Sequence, residues 1–482
     1  MEKLQFWVND ALHEVAGVST NLTLLNYLRY HADLPGTKEG CAEGDCGACS
    51  VVLLDKDGEE GAYRAVNSCL LFLPAVHGRR IYTVEGLAQN GDLHPVQEAM
   101  VRNLGSQCGY CTPGFVMTLF EACYRDDMDG PWQLDDQLCG NLCRCTGYRP
   151  IRAAGKEISG LRPKDHFHEA LAAESFEASE VQYSEKEQTF WRPASFESLF
   201  ALLAAQPQAK IIAGATDLAL EYTKFHRPLP LLVSIEGLQE LKVLSCDNQG
   251  WTIGAGVTLS RLEMAVANRL PALENMLRYF ASRQIKNRAT VGGNIVNASP
   301  IGDLAPVFLA LDARFHLRSS KGTREVPCDD FFLDYRKTAL QEREILEAIF
   351  VPHKDAYANS YKVSKRKEMD ISAVAAGLSL CRDATGKIIE ARFGFGGMAA
   401  TPKRATGAEQ ALLGRKLSAG AIRASLDALG TDFSPMTDHR GTSWYRQKVA
   451  RNFLMGFFEE AMKNEAAQTI RAGALAHPEV RL

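Results

Sequence analysis

The sequence predicts a multidomain α+β protein, and three observations carry that reading. At 482 residues the chain is too long for one ordinary core, so roughly two to four domains are expected. Ten of its thirteen cysteines fall in the first 145 residues, so the N-terminal third is chemically unlike the rest. The hydrophobic pattern also changes character along the chain: mixed strands and a helix, then short helices, then strands alternating with helices.

"LQFWVNDALHEV" alternates apolar and polar residues around Asn9-Asp10, which reads as a β-hairpin. "TLLNYLRYHA" follows with helical spacing, and a Gly/Cys stretch then interrupts regular structure. "CSVVLLDKDG" and "RRIYTVEGL" read as further strands, giving a small mixed sheet with one helix and a cysteine loop on its rim. From about Pro95 to Arg152 the periodicity turns helical, in "HPVQEAMVRNL", "TPGFVMTLFEACYR" and "DDQLCGNLCRCTG", with Gly and Pro at the ends. Residues 160–188 are rich in charge and alanine and read as an interdomain linker, partly helical. A new domain begins near "FWRPASFESLFALLAAQP", and a boundary near 355–360 separates it from a last α+β unit with a frayed tail after about 465. The expected domains are 1–88, 89–160, a linker at 161–188, 189–357, 358–465 and a tail at 466–482. No internal repeat or low-complexity tract is seen.

The net charge of −4, from 54 basic and 58 acidic residues, gives no global basic field for nucleic acid or an anionic membrane. "MEKLQFWVND" reaches a polar turn too soon for a signal peptide, and no run of about 18 apolar residues predicts a spanning helix. A cytoplasmic location is expected, where clustered cysteines more often hold metal or do redox chemistry than form disulfides.

The first cysteine set is Cys41-x4-Cys46-x2-Cys49, with Cys69 after nineteen intervening residues. That is the spacing of plant-type 2Fe–2S centres. Gly40, Gly44 and Gly47 suit it, because cluster sulfurs need backbone N–H donors in a tight wrap. The second set is Cys108-x2-Cys111 with Cys143-x-Cys145. A Cys-x-Cys pair cannot share one helical face, so it must sit at a helix end or turn. Four thiols without paired histidines argue against a Rieske-type centre. A structural zinc ion is the alternative for either set. Cys123, on an apolar helical face, reads as core.

Two segments in the second half point to a nucleotide. "IIAGATDLAL" is a strand, a glycine loop and a helix, without the G-x-G-x-x-G of a Rossmann fold. In "ATVGGNIVNASPIGDLAPVFLAL", Gly292-Gly293 would let backbone N–H groups approach a diphosphate, with Thr290 and Asn294 beside them and Asp303 accepting from a ribityl or ribose hydroxyl. The alternative is a tight hairpin. The basic run Lys362, Lys365, Arg366, Lys367 would attract nucleotide phosphates, or would be a solvated loop.

Taken together, "CAEGDCGACSVVL", "NSCL", "TVEGL", "QCGYCTPGF" and "GNLCRCTGYRPI" resemble the two-cluster region of the molybdenum hydroxylases, the xanthine dehydrogenase and aldehyde oxidase family, over about residues 1–155. The flavin segments, with "YFASRQIKNRATVGGNI" and "FGGMAATPKRA", are similar to that family's FAD domain. The resemblance implies a β-grasp plant-type ferredoxin domain and a helical-bundle 2Fe–2S domain. It further implies an FAD-binding domain like the vanillyl-alcohol-oxidase (VAO/PCMH) flavoproteins and a C-terminal α+β domain like the CO dehydrogenase flavoprotein.

By position, Cys41, Cys46, Cys49 and Cys69 resemble the ligands of a 2Fe–2S cluster near FAD. Cys108, Cys111, Cys143 and Cys145 resemble those of a 2Fe–2S cluster near molybdenum. FAD positions fall on Ile211, Ile212, Ala213, Gly214, Ala215, Thr216, Asp217 and Leu218, and on Phe280, Thr290, Val291, Gly292, Gly293, Asn294, Asp303, Leu346 and Lys362. Tyr335 and Arg336 resemble residues on the approach of NAD+. Two positions depart from the family pattern: Cys139 has no assigned role, and Met369 stands about where NAD-using relatives can carry an acidic residue.

Nothing here resembles the family's molybdenum-binding portion. The expectation is therefore a small subunit of a bacterial enzyme of the xanthine dehydrogenase type, with no catalytic residue for the substrate itself. A large molybdopterin-binding subunit would complete a heterodimer, dimerised to a heterotetramer. Electrons would pass from molybdenum through the second cysteine set, then the first, to FAD and NAD+. A subunit acting on aldehydes or N-heterocycles shares this wiring; a free-standing electron carrier and a zinc scaffold are the rival classes.

Overall fold

The computed structural model describes residues 3–57, 60–173 and 179–463, and the expected tail lies outside them. The chain divides into two compact units, Met1–Gln239 with Ala281–Ala289, and Glu240–Phe280 with Thr290–Leu482.

In the first unit, Leu4–Val8 (β1) and Ala11–Val15 (β2) form the expected hairpin. Asn9 and Asp10 both have positive φ, 49° and 68°, the conformation a two-residue turn needs to match strand twist. Helix Leu24–Tyr30 (α1) follows, capped by Thr23. Ser50–Asp57 (β3), Glu60–Asn67 (β4) and Arg80–Tyr82 (β5) complete a sheet of order β2-β1-β5-β3-β4, with β1 and β5 parallel. This is the β-grasp arrangement. Strand β3, between β5 and β4, is buried on both faces. Val51 and Leu53 join a core with Phe6, Leu24 and Phe72, while Val52 and Leu54 join another with Phe115 and Phe120. That explains the unbroken apolar run "VVLL", which alternation alone would not give. Strand β4, "EGAYRAVN", was not foreseen, because its polar residues mask the buried Tyr63, Ala65 and Val66.

The helices Pro95–Arg102 (α2), Thr112–Tyr124 (α3), Pro131–Leu138 (α4) and Arg149–Ile158 (α5) pack on the second of these cores. Helix α4 stops at Leu138, so Cys143-x-Cys145 lies in the loop before α5, as its spacing requires.

The stretch 161–188 is not wholly linker. It contains helix His166–Ala173 (α6) and strand Val181–Glu185 (β6), whose Val181 and Tyr183 are buried. Composition hid this strand, since only two of its five side chains face the core. With Gln188–Arg192 (β7), Lys210–Ile212 (β8) and Leu231–Ser234 (β9) it forms a sheet of order β6-β7-β9-β8. Helix Phe196–Ala205 (α7) and helix Ala219–Thr223 (α8) connect these strands. This sheet shares its core with β1, through Val181, Phe190 and Leu232. The segment Ala281–Ala289 is tied into the same unit by buried charges. Asp136 accepts from Lys286 Nζ at 2.7 Å and pairs with Arg283.

The second unit holds an antiparallel sheet of order β10-β11-β16-β12-β13, built from Leu244–Cys246 (β10), Gly250–Gly254 (β11), Arg314–Ser319 (β12), Gly322–Pro327 (β13) and Ile345–Pro352 (β16). Phe332–Asp334 (β14) and Lys337–Thr338 (β15) form a small hairpin. Ala356–Val363 (β17), Val374–Arg382 (β18), Ile388–Gly396 (β19) and Lys403–Arg404 (β20) make a separate sheet, so the sheets change between Pro352 and Ala356. Helices Ala419–Asp432 and Ser443–Lys463 complete the core around Phe393, Phe457 and Phe458. No described helix is long and apolar enough to cross a membrane.

Candidate redox centres

The first cysteine loop runs from α1 into β3, and Cys69 lies in a short helical turn after β4. Cys49 and Cys69 are buried with their Sγ atoms 3.4 Å apart. The Sγ of Cys41 accepts backbone N–H groups of Asp45 at 3.3 Å, and of Glu43 and Cys46 at 3.4 Å. Ala42, Gly44 and Gly47 all have positive φ, which wraps the amides inward. A side chain at Gly40 would meet Cys46 Sγ at 2.7 Å. The Cys46 thiol and these amides hold the Cys41 thiol down to about 5, against burial, while the same bond and burial push Cys46 upward.

The second set sits at helix ends. Cys111 precedes α3, and Cys143 and Cys145 lie between α4 and α5. Cys111 lies near enough to Cys143 for that thiol to raise its pKa, and Cys108 raises that of Cys145 in the same way. Burial and the Cys143 thiol push Cys111 up to about 12. Burial works against the Cys143 thiolate, but the Thr146 hydroxyl, 3.1 Å away, and the Thr146 N–H at 3.4 Å draw its pKa down. Cys108 and Cys145 are exposed.

Cys49 and Cys69 are thus a close sulfur pair, and Cys41 with Cys46, Cys111 with Cys143 and Cys108 with Cys145 act on one another electrostatically. Among the described residues no three His, Cys, Asp or Glu side chains gather as one metal ion would need. A structural zinc needs no donors to its thiolates, whereas a two-iron group takes four thiolates with N–H donors aimed at sulfur, as Cys41 has. The donor set fits the latter. Cys139 ends α4, its thiol donating to the Asp136 carbonyl at 3.1 Å, and Cys123 is fully buried in α3.

The two loops stand back to back. The Leu142 N–H donates to the Cys46 carbonyl at 3.0 Å, and Asn141 Nδ2 to the Gly47 carbonyl at 3.2 Å. The buried Gln284 Nε2 joins Ser50, Thr118 and Asn141, at 3.2, 3.0 and 2.8 Å. Sequence reasoning missed Gln284, Asn67 and Thr146, which carry no motif of their own; only adjacency to the cysteines could have marked the last two.

The flavin positions fall in both units. In the first, Ile211 and Ile212 end β8, and Ala213–Leu218 turn into α8 with Ala215 at φ 66°. A side chain at Gly214 would meet the Arg288 carbonyl at 1.8 Å, so the loop needs glycine there. Among the described residues, the N–H groups of Gly214 through Asp217 donate to no protein acceptor. Successive free amides make a concavity for an anion, which fits a diphosphate.

In the second unit, the Gly292-Gly293 reading needs correction. The amides of Val291 and Gly292 donate to the carbonyls of Val257 and Ala255, at 2.9 and 2.8 Å. Gly293 N donates to Thr290 Oγ1 at 3.0 Å, and Asn294 N to the Thr290 carbonyl at 3.0 Å. The segment is the helical turn Val291–Val296, neither a hairpin nor an open amide cradle. Gly292 is needed because a side chain would meet Ala255 at 2.5 Å. Asn294 does leave a buried Oδ1 without a partner.

Asp303 accepts from Lys362 Nζ at 2.6 Å and Ser372 Oγ at 2.5 Å, and Lys362 lies 5.9 Å from the Phe280 ring centre. Phe280, Asp303 and Lys362 thus form one cluster. Leu346 is buried on β16, paired with Leu317 of β12. Tyr335 and Arg336 form the turn between β14 and β15, with Tyr335 exposed. The rest of the basic run is held locally: Lys365 donates to the His439 carbonyl at 2.5 Å, Arg366 to that of Met369 at 2.9 Å, and Lys367 pairs with Glu368 at 3.2 Å.

Comparison with known families matches residues 83–156 to a [2Fe-2S] binding domain. Residues 182–354 match the FAD binding domain in molybdopterin dehydrogenase, and 359–461 the CO dehydrogenase flavoprotein C-terminal domain. A xanthine dehydrogenase of Blastobotrys adeninivorans is 30% identical over 96% of this chain and 41% of its own length. The xanthine dehydrogenase/oxidase of Rattus norvegicus is 33% identical over 83% of this chain and 34% of its own. The chain thus spans less than half the length of these relatives. Among solved structures, carbon monoxide dehydrogenase from Hydrogenophaga pseudoflava superposes with a TM-score of 0.54 at 28% identity, covering 57% of this chain and 98% of that one. Quinoline 2-oxidoreductase from Pseudomonas putida 86 gives 0.52 at 25% identity, over 57% and 96%.

The chain belongs to the molybdenum hydroxylase family of oxidoreductases. Within it, this is the iron–sulfur and flavin part, with a 2Fe–2S-binding domain and an FAD-binding domain.

Proposed function

We propose that this chain is the electron-transfer subunit of a xanthine dehydrogenase that oxidises hypoxanthine and xanthine to urate, delivering electrons to NAD+. The observation that carries the redox role is the N–H donation to sulfur in the first set, with Cys49 and Cys69 sulfurs 3.4 Å apart, and a row of free amides at the end of β8 in the same unit. Such groups supply complementary chemistry when bound: iron–sulfur clusters pass single electrons and FAD combines them in pairs.

The residues of the chain prepare each site. Cys41, Cys46, Cys49 and Cys69 hold one cluster, with Cys49 and Cys69 buried, Cys41 and Cys46 half-buried, and backbone donors on Cys41. Cys108, Cys111, Cys143 and Cys145 hold the other, with Cys108 and Cys145 exposed at the surface. Leu104, Tyr110, Leu142 and Tyr148, close to the exposed thiols in sequence, are exposed as well. An apolar border of this kind supports docking of a large molybdopterin-binding subunit there, which would exclude water from the thiols. The assembly would be a heterodimer, dimerised to a heterotetramer. The amides of Gly214 through Asp217 receive the FAD diphosphate. Phe280, Asp303, Lys362 and Asn294 are proposed to contact FAD, and Tyr335 and Arg336 to lie on the NAD+ approach.

The choice of xanthine is supported by relatives named xanthine dehydrogenase at 30–33% identity. A second reading, oxidation of an N-heterocycle, is favoured by the likeness to quinoline 2-oxidoreductase. Purified complex should contain about four irons and one flavin per chain, co-purify with a larger molybdoprotein, and reduce NAD+ with xanthine. Zinc in place of iron would end the redox reading. Quinoline-type turnover without xanthine turnover would select the alternative.

A further inference from the structure

Asn67 ends β4, two residues before Cys69, and is 4% exposed. Its Nδ2 lies 3.7 Å from Cys49 Sγ and donates to it. A thiolate only accepts, so the N–H end of the amide is the end that faces sulfur. The other end, Oδ1, is buried without a partner. Asn67 borders a cavity of about 10 Å³, room for one water, that is also lined by Leu70, Gly214, Thr216 and Arg288. Arg288 Nε is likewise buried and unpartnered. A water there would satisfy Oδ1 and hold the amide with its N–H toward Cys49.

Cys41 differs. Its N–H donors belong to the backbone of residues 43, 45 and 46, so no side-chain substitution removes them. Asn67 is the non-cysteine side-chain donor to this set among the described residues.

We propose that Asn67 is a positioning residue that raises the reduction potential of the first centre through its N–H bond to Cys49. The proposal rests on the reading of Cys41, Cys46, Cys49 and Cys69 as cluster ligands. Reduction adds negative charge that is shared by the sulfurs, and a fixed N–H dipole aimed at one of them favours the reduced form. The cavity beside the Gly214–Thr216 loop places this control where the first centre and the proposed diphosphate loop adjoin.

The test is a reductive titration of the purified complex, followed by electron paramagnetic resonance. Cys108→Ser, which removes the second centre, identifies the two signals. In Asn67→Leu, of similar size and without a donor, the oxidised-to-reduced ratio of the first centre at fixed poise should rise about tenfold, a fall of ~59 mV, with the second centre unmoved. If the leucine variant loses iron, Asn67→Asp keeps the shape and replaces N–H by oxygen, and should show a fall in the same direction. A first-centre potential equal to wild type in an iron-replete variant overturns the proposal. Loss of the first centre from both variants also overturns it, since Asn67 would then be structural. Wild-type protein lacking iron would instead overturn the cluster reading, so the two failures are told apart.

Discussion

Cys49 and Cys69 are each 2% exposed, whereas Cys108 and Cys145 of the second set lie on the surface. Around the first set, backbone amides and Asn67 supply donors to sulfur, and the loop folds on itself through three residues of positive φ. Around the second, Thr146 supplies the side-chain donor, and the neighbouring Leu104, Tyr110 and Leu142 stay uncovered. A dry, hydrogen-bonded site has its potential set by its own chain. An open one is completed by whatever covers it. The difference sets two buried sulfurs of the first set against two exposed ones of the second, the face at which we propose a partner docks, with Gln284 and the Leu142–Cys46 hydrogen bond fixing the step between them.

The largest effect that could break this division comes from Cys108→Ser. It should reduce substrate-to-NAD+ turnover to background while leaving NADH-to-dye activity, which needs only the flavin. Survival of both activities would mean that the exposed set does not stand between partner and flavin. Loss of both would mean that the two sets are not functionally separable.

A second contrast sharpens the packing side of the comparison. Gly47, in the first loop, has φ 68°, and a side chain there would meet the Gly140 carbonyl at 2.3 Å and Asn141 at 2.5 Å. Gly109, in the second loop, has φ 84° but nothing within 4 Å. Gly47→Ala therefore combines left-handed strain with overpacking and should destabilise by about 2–5 kcal/mol. Gly109→Ala carries the strain alone, about 1–2 kcal/mol. Urea unfolding of the two variants measures both. Equal losses would show that the first loop is no tighter than the second.

Much of the architecture was legible because it rests on local rules. The Asn9-Asp10 turn, the cysteine spacings and the glycines at 40, 44 and 47 are constraints written within a few residues of one another. What escaped depends on distant partners. Strand β6 hid in an acidic, alanine-rich stretch because a neighbouring sheet, not its own pattern, buries Val181 and Tyr183. Gln284 carries no motif, yet bonds to side chains more than 140 residues away. Gly292-Gly293 misled for the converse reason: a double glycine reads as an open cradle, but Ala255 and Val257 have already taken the amides.

A last expected effect concerns the core at the end of α3 away from Cys111. His94 is 5% exposed; its Nδ1 accepts the Val96 N–H at 3.2 Å, and its Nε2 lies 3.0 Å from Tyr124 OH. Tyr124 OH in turn donates to Asp165 at 2.6 Å. These bonds fit a neutral ring with its proton on Nε2, and a second proton on Nδ1 would face the Val96 N–H. Burial therefore holds His94 down to about 4, although Asp165 favours the charged form and His166 opposes it. An unfolded histidine titrates near 6.5, so between pH 6.5 and about 4 the unfolded chain takes a proton that the folded one refuses. Stability is complete above that window, falls as pH drops through it, and levels off below it. The slope is at most about 1.4 kcal/mol per pH unit, for a total of about 3 kcal/mol. His94→Asn keeps a capping side chain without a titrating ring, so its loss of stability across the window should be smaller by that amount. Unfolding midpoints for both proteins from pH 7 to 4 measure the difference directly. Superimposable curves would mean that the ring takes its proton in the folded protein as readily as in the unfolded chain, and that the core around His94 is wetter than its packing implies.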